Sequence, residues 1–386
     1  MGPRRDGDAA LAARVSAAIA DAGVGREDLF ADLVALDSLE VGVDDGTVRL
    51  TVTVPVPDEA IRDRVEGGLR RVTARVDGAR TVEVAWTPSV PDPGARVDML
   101  PDVKHLVAVS SGKGGVGKST VATNLAVSLA ATGAAVGLLD ADVYGPNAPA
   151  MLGVDERTPR TTRDDEIVPW EAHGVRVMSM GFVVGEDDPV IWRGPMVDDA
   201  LEQLFRDVRW GELDYLVVDL PPGTGDAQLT LVQHLPVTGA VVVTTPQPVA
   251  VDDARRGIRG FARYGVPVLG IAENMAGFEC PDCGHRHDIF DDGGADALAA
   301  EFDVPVLGRV PLDPAVGTLE ADADEPPGIS LPVVGRLQLP RTREQRERAS
   351  SLPPIAVRDG AGEPRRALTA LSTRTAARLN ALVAGL

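Results

Sequence analysis

The sequence predicts an α/β protein, with a parallel sheet flanked by helices and a small α+β domain ahead of it. Three observations carry this. From Val103 onward, short apolar runs alternate with helical stretches, as in a parallel sheet whose strands are buried on both faces. One run, Leu106 to Val109, leads through a glycine-rich string into an Ala/Val/Leu-rich helical stretch from Val121 to Ala131. Upstream, Val48, Leu50, Val52 and Val54 alternate with polar or small neighbours, the pattern of a half-buried strand.

In chain order, residues 9–22 are Ala-rich and helical in pattern, and Asp44-Asp45-Gly46 is a turn signal before the strand Thr47 to Val54. A helix from Asp58 to about Val72 and a strand from Thr81 to Trp86 complete a domain over residues 1–86. Residues 87–99 hold Pro88, Pro91, Pro93 and Gly94 and are expected to be a linker. The larger domain, residues 100–319, is expected to use strands at Leu106 to Val109, Ala135 to Leu139, Tyr215 to Val218, Ala240 to Thr244 and Val268 to Ala272. Residues 320–354, rich in Pro, Arg and Glu, are expected to be an exposed insertion. Residues 355–386 are expected to form a strand and a helix that pack back on the larger domain. Leu368, Leu371, Leu379, Leu382 and Leu386 make that helix's apolar stripe.

A chain of 386 residues that is 44% hydrophobic can bury a substantial core. Its net charge of -20 and pI near 4.7 argue against nucleic acid as a partner, which would need a basic face. Lysine occurs only at Lys104, Lys113 and Lys118, and acidic residues far outnumber basic ones, a balance suited to a salty, halophilic cytosol. Two cysteines rule out a disulfide scaffold, and Met1 to Asp8 leads into no apolar signal core, so a reducing, cytoplasmic setting is expected. The longest uncharged run, Ala227 to Val251, is broken by Gln228, Gln233, His234, Pro236, Pro246, Gln247 and Pro248, so no membrane span is expected.

The string Gly112-Lys113-Gly114-Gly115-Val116-Gly117-Lys118-Ser119-Thr120 sits between strand and helix, where a phosphate-binding loop works. Its glycines let backbone N–H groups turn toward a polyphosphate, Lys118 can neutralise the β and γ phosphates, and the Ser119 hydroxyl can ligate Mg²⁺. Lys113 is a second ammonium group that can reach across a two-fold axis to a neighbouring subunit's nucleotide. Asp140 and Asp142 end the next strand, where ligands bind a parallel sheet; Asp140 is a candidate for holding the Mg²⁺ shell or the loop, and Asp142 for positioning the attacking water. Leu216-Val217-Val218-Asp219 delivers Asp219 to the metal, and Leu220 to Asp226 comes next as a stiff switch loop. The chain lacks the Asn-Lys-x-Asp string of guanine-specific switches, so ATP is expected, with Asn274 at the adenine edge.

Cys280-Pro281-Asp282-Cys283 offers two thiolates, half of a zinc or four-iron site, which a symmetric dimer would complete. His285 and His287 come too soon after it for the usual Cys2His2 pattern, and a redox dithiol or inert loop cysteines remain alternatives.

Taken in order, Gly-Lys-Gly-Gly-Val-Gly-Lys-Ser-Thr, Asp-Ala-Asp-Val-Tyr-Gly-Pro, Asp-Leu-Pro-Pro-Gly-Thr-Gly-Asp, Glu-Asn-Met and Cys-Pro-x-Cys-Gly resemble the Mrp-type iron–sulfur cluster carrier ATPases. That family belongs to the deviant P-loop class that includes the MinD and ParA switches. The resemblance covers about residues 100–320. It implies a homodimer that binds ATP and Mg²⁺, bridges a labile 4Fe-4S cluster between subunits and passes it to apoproteins. It assigns the signature-lysine role to Lys113, the phosphate and Mg²⁺ roles to Lys118 and Ser119, the water and metal roles to Asp142 and Asp219, and the cluster role to Cys280 and Cys283. The first domain resembles the small domain of iron–sulfur assembly factors. Its stretch Thr53-Val54-Pro55-Val56-Pro57-Asp58 has no thiol, which favours partner docking over cluster binding. The competing function is a positioning or partition ATPase of the MinD or ParA kind, whose basic surface or tail is only weakly echoed by Arg374 and Arg378. A nitrogenase-like reductase would take its ligands from separated cysteines.

Overall fold

Alternating and continuous apolar patterns become two different kinds of sheet. The computed structural model describes residues 4–21, 39–54, 59–88, 90–91, 99–143, 145–154, 159–164, 166–183, 194–223, 228, 231–233, 235–280, 283, 285–287, 289–290, 293–313, 328–331, 335–338, 354–358 and 362–383. The chain divides into two compact units, residues 1–92 with 132–134 and 376–386, and residues 93–131 with 135–375.

The first unit has helix α1 (Arg4–Asp21), strands β1 (Leu39–Asp44) and β2 (Thr47–Val54), helix α2 (Glu59–Thr73) and strand β3 (Thr81–Pro88). β1 and β2 are an antiparallel hairpin, and β2 pairs with β3 in parallel. Asp45 and Gly46 both take positive φ at the hairpin turn, as a right-twisted two-residue connection requires. Leu11, Val15 and Ile19 of α1 recur every four residues and meet Val48, Leu50 and Val52 in one core with Val65 and Leu69 of α2. β1 was not anticipated, because it lies ahead of the turn in a short polar-spaced run. β3 extends through Pro88, so the expected linker begins later than residue 87. Pro55 to Asp58, the end of the thiol-free stretch, lies outside the described residues.

The second unit is built on a sheet of nine strands. They are β4 (Val103–Ser111), β5 (Val136–Asp140), β8 (Trp170–Ala172), β9 (Val175–Ser179), β10 (Leu213–Asp219), β11 (Gly239–Thr244), β12 (Val268–Glu279), β13 (Arg286–His287) and β14 (Val306–Leu312). The order β13-β12-β11-β4-β10-β5-β9-β8, with β14 also on β12, makes β4 central. Pairing is parallel except where β8 and β13 join in antiparallel fashion. The five expected strands are β4, β5, β10, β11 and the first half of β12. A separate small hairpin pairs β6 (Arg160–Thr161) with β7 (Ile167–Val168).

Helices α3 (Lys118–Ala131), α4 (Ala148–Met151), α5 (Gly194–Arg206), α6 (Pro248–Arg263) and α7 (Gly294–Phe302) supply the crossovers and cover the sheet. Parallel pairing demands such crossovers. The central strands are buried apart from the paired Lys104 and Asp214 near the starts of β4 and β10, and β4, β10 and β11 contribute Ala108, Val218 and Val242 to one apolar core.

Beyond β14, residues 314–327, 332–334 and 339–353 lie outside the description, and within the expected insertion β15 (Gly328–Leu331) and β16 (Gly335–Gln338) form an antiparallel hairpin. The strand expected after residue 354 is instead a short 3-10 turn, Ile355–Val357, whose Ala356 N–H donates to Asn124 Oδ1 of α3 at 2.9 Å. A side chain of α3 thus takes the N–H that a strand would give to a ladder. Helix α8 (Gly362–Val383) comes next. Its Leu368 and Leu371 are fully buried, and Leu371 meets β14 where Gly308 lacks a side chain. Leu382 is 38% exposed, so the stripe ends there, and Leu386 is not among the described residues. No described helix is long and apolar enough to cross a membrane.

Candidate functional site: a phosphate loop beside a cysteine hairpin

β4 ends at Ser111 and α3 begins at Lys118, so residues 112–117 form a loop at the carboxyl edge of the central strand. Gly115 and Gly117 both take φ near +81°, which an L side chain resists. Space around Gly114 and Gly115 is open, whereas Gly112 lies so close to the Asp253 backbone of α6 that a Cβ would stand 2.3 Å from it. The loop is therefore packed on one side and accessible on the other. The helix N-terminus adds its partial positive charge to the exposed backbone N–H groups.

Strand register brings the acids to this loop. Asp219 of β10 lies opposite Asp140 of β5 on one side and Val109 of β4 on the other. Lys118 Nζ stands 2.5 Å from Asp219 Oδ1, and both side chains are buried. Burial raises the Asp219 pKa, against the opposing pull of Lys118 and Ser119. Asp219 Oδ2 is buried with no hydrogen-bond partner among the described residues. That orphaned oxygen and the Ser119 hydroxyl, 3.4 Å from Lys118 Nζ, are the hard donors a Mg²⁺ ion takes.

Asp140 is fully buried and accepts from the N–H groups of Asp142 at 3.2 Å and Ala148 at 3.0 Å. Burial first, and the Asp219 charge second, push its pKa up to about 7. Its carboxylate holds the turn from β5 to α4 closed. Asp142 is nearly buried, and its Oδ1 accepts from Gly145 N–H at 3.2 Å, which orients the side chain at the same edge. Tyr144 of the same motif is not described.

Two expected residues take positions that pattern reading does not foresee. Lys113 Nζ lies 3.1 Å from Gln247 Oε1, at the start of α6, and so is held within its own chain here. Asn274 is expected from the sequence at a base edge, but its Nδ2 donates to the Val116 carbonyl at 2.9 Å, and the side chain is buried beneath the loop. A Cβ on Gly117 would lie 2.1 Å from that nitrogen, so glycine there is what admits the amide. Asn274 thus supports the loop, a role in addition to the adenine edge expected of it. The missed signal is spatial: β12 lies two strands from β4, and only the fold brings residue 274 under residue 117.

The neighbour of Asn274 was also missed. Glu273 is buried, accepts from Arg309 Nε at 3.0 Å and from Ala295 N–H at 3.3 Å, and so ties β12 to β14 and α7. Sequence reading had no means of pairing residues 36 positions apart.

Cys280 lies just past the end of β12, and its N–H donates to His285 O at 2.9 Å, closing a turn into β13. Cys280 is half-buried and Cys283 exposed, and neither is in a disulfide. The His285 and His287 rings meet edge to face with centroids 4.7 Å apart. Among the described residues no three His, Cys, Asp or Glu side chains converge as a metal site within one chain. Pro281, Asp282 and Gly284 lie outside the described residues, as do Thr224 to Ala227 at the end of the switch stretch.

A glycine loop at the end of a central parallel strand, with a buried lysine–aspartate pair beneath it, defines a P-loop NTPase. Comparison narrows this further. Residues 102–331 match the ParA family model, described as NUBPL iron-transfer P-loop NTPase, and the chain belongs to that family. It is 47% identical over 293 residues to the iron-sulfur cluster carrier protein of Synechocystis sp., covering 74% of this chain and 83% of that one. To the protein of the same name from Deinococcus radiodurans it is 46% identical over 310 residues, covering 80% and 87%. Among solved structures, the nucleotide-binding protein of Archaeoglobus fulgidus in complex with ADP superposes with a TM-score of 0.51 at 38% identity, covering 59% of this chain and 89% of that one.

Proposed function

We propose that this protein is an ATP-dependent carrier that binds an iron–sulfur cluster and delivers it to apoproteins in the cytoplasm. The observation that carries the reading is the placement of a complete phosphate loop and a C-x-x-C hairpin on one strand-linked frame, with six residues from Asn274 to Cys280. The names borne by its relatives support it. A positioning or partition ATPase would leave the cysteine hairpin without a task.

In this reading ATP enters over Gly114 and Gly115, the backbone N–H groups of residues 112–117 take the phosphates, and Lys118 exchanges Asp219 for phosphate oxygens. Mg²⁺, when bound, offsets phosphate charge, and Ser119 and Asp219 are the residues that would hold it. Asp142 orients the attacking water, and Asp140 holds the turn that carries Asp142. Lys113 leaves Gln247 to reach a second protomer's nucleotide. Cys280 and Cys283 of two protomers supply four thiolates, which suits a 4Fe-4S cargo and also a zinc ion. The acidic surface suits a protein working in high salt, without nucleic acid or membrane as partner.

Anaerobic reconstitution of the wild type and Cys280→Ser, with iron, sulfide and visible absorption measured against mass in solution, tests this. Four irons per dimer in the wild type and none in the variant are expected, given two cysteines per chain. A strictly monomeric protein with nucleotide present, or a variant that loads normally, overturns it.

A further inference from the structure

The phosphate loop and the cysteine hairpin are joined by a segment with an unusual backbone. Glu273 is pinned by Arg309 and the Ala295 N–H, so β12 is anchored there. One residue on, Asn274 grips the Val116 carbonyl. A trans peptide is planar, with its C=O and N–H pointing opposite ways, so a grip on the Val116 carbonyl also aims the Gly117 N–H away from Asn274. Any tilt of that peptide as phosphates arrive must move the amide or break its bond.

Past Asn274 the strand is irregular. Met275 has φ of 58°, a left-handed conformation rare for a side chain of its kind, and Gly277 has φ of 85°. Asn274 pairs with Val310 and Phe278 with Leu312, so a four-residue step on β12 faces a two-residue step on β14. This is a bulge, which bends its strand and re-aims the chain beyond it. The cysteine hairpin is tied to the bulge by Arg286, whose Nη2 donates to the Ala276 carbonyl at 3.0 Å and whose guanidinium lies 3.2 Å from where a Gly277 Cβ would be. Cys280 lies three residues further on, its turn closed by His285.

We propose that Asn274 is a positioning residue that transmits the state of the phosphate loop to Cys280 and Cys283 through the bulged joint at Met275 to Gly277. The proposal rests on the carrier function proposed for this chain, in which nucleotide occupies the loop and the two thiols hold the cargo. Glu273 is the fixed point, the Asn274 amide the sensor, and the bulge the element with more than one arrangement. A side chain that served only to pack the loop would leave the cysteines indifferent to nucleotide.

The test uses full-length, cluster-free protein. Alkylation rates of Cys280 and Cys283 by iodoacetamide are measured by mass spectrometry, with and without saturating Mg²⁺ and a non-hydrolysable ATP analogue, in the wild type, Asn274→Ala and Met275→Gly. Nucleotide is expected to change the wild-type rate at least about fivefold, the lower end of ordinary site-to-site coupling. Both variants are expected to bring that ratio to within about twofold of unity, while Met275→Gly, which touches no phosphate, keeps its analogue affinity. Equal wild-type rates with and without nucleotide overturn the proposal, as does a wild-type ratio retained in Met275→Gly. If Asn274→Ala cannot be saturated, Met275→Gly decides the matter. Failure to load iron and sulfide bears on the carrier reading alone, because the alkylation ratio is read without cluster.

Discussion

Asp140 shows how burial turns an ordinary carboxylate into a pH-sensitive one. Its folded pKa of about 7 stands above the unfolded value of 3.8, so between these limits the folded state holds a proton that the unfolded state has lost. Stability therefore falls as pH rises through that window, is fully regained below about 4, and levels off above about 7. The nucleotide-free protein is expected to lose on the order of 1–4 kcal/mol of unfolding free energy from this group between pH 4 and pH 8, since each pH unit of that window is worth about 1.4 kcal/mol. Urea melts of Asp140→Asn across that range should lack the slope, and an unchanged slope would assign it to another group. The Lys118–Asp219 pair is a different case. Two buried charges at 2.5 Å offset each other, and removing one leaves the other unpaired at about 3–5 kcal/mol. Loss of activity in a Lys118 variant must accordingly be separated from loss of fold.

Among the elements, α8 is the one whose attachment is most open to test. Leu368 and Leu371 are buried, Arg374 Nη1 donates to the Leu307 carbonyl at 3.1 Å, and Gly308 lets the Leu371 Cβ come close to β14. Leu371→Ala is expected to cost about 2–5 kcal/mol, the usual range for an aliphatic cavity in a packed core. A urea midpoint within experimental error of the wild type would mean that α8 does not hold the β14 edge. Because β14 pairs with β12, the same variant should raise amide exchange in β12 near Glu273 before the central strand β4 is affected.

For the whole molecule the governing quantity is charge. A net charge of -20 repels itself in the compact state, and that repulsion is screened as the Debye length falls from about 10 Å at 0.1 M salt to about 3 Å at 1 M. Thermal midpoints should climb steadily with KCl into the molar range. A midpoint that stays level or falls would remove the case for adaptation to salt. The same surplus of acid makes association with another acidic chain salt-dependent, so sizing in low and high KCl should precede any statement about assembly.

How much of this could be read from the one-dimensional chain depends on the range of the forces involved. The phosphate loop, both strand-end aspartates, the cysteine pair and the central strands are written in runs of a few residues, because glycine freedom, burial and turn chemistry act locally. The strands β1, β8, β9, β13 and β14 were not anticipated, since sheet partners, not their own composition, make them strands. Asn274 beneath Gly117, Glu273 on Arg309, and Lys113 on Gln247 are contacts between residues far apart in sequence, and no local pattern encodes them. Sequence alone determined that a nucleotide-phosphate cradle and a thiol pair exist in this protein. Only tertiary structure decided that the strand leading to the thiols passes beneath the cradle and touches it at Asn274, because register and crossover, which set every long-range distance, are properties of the packed sheet.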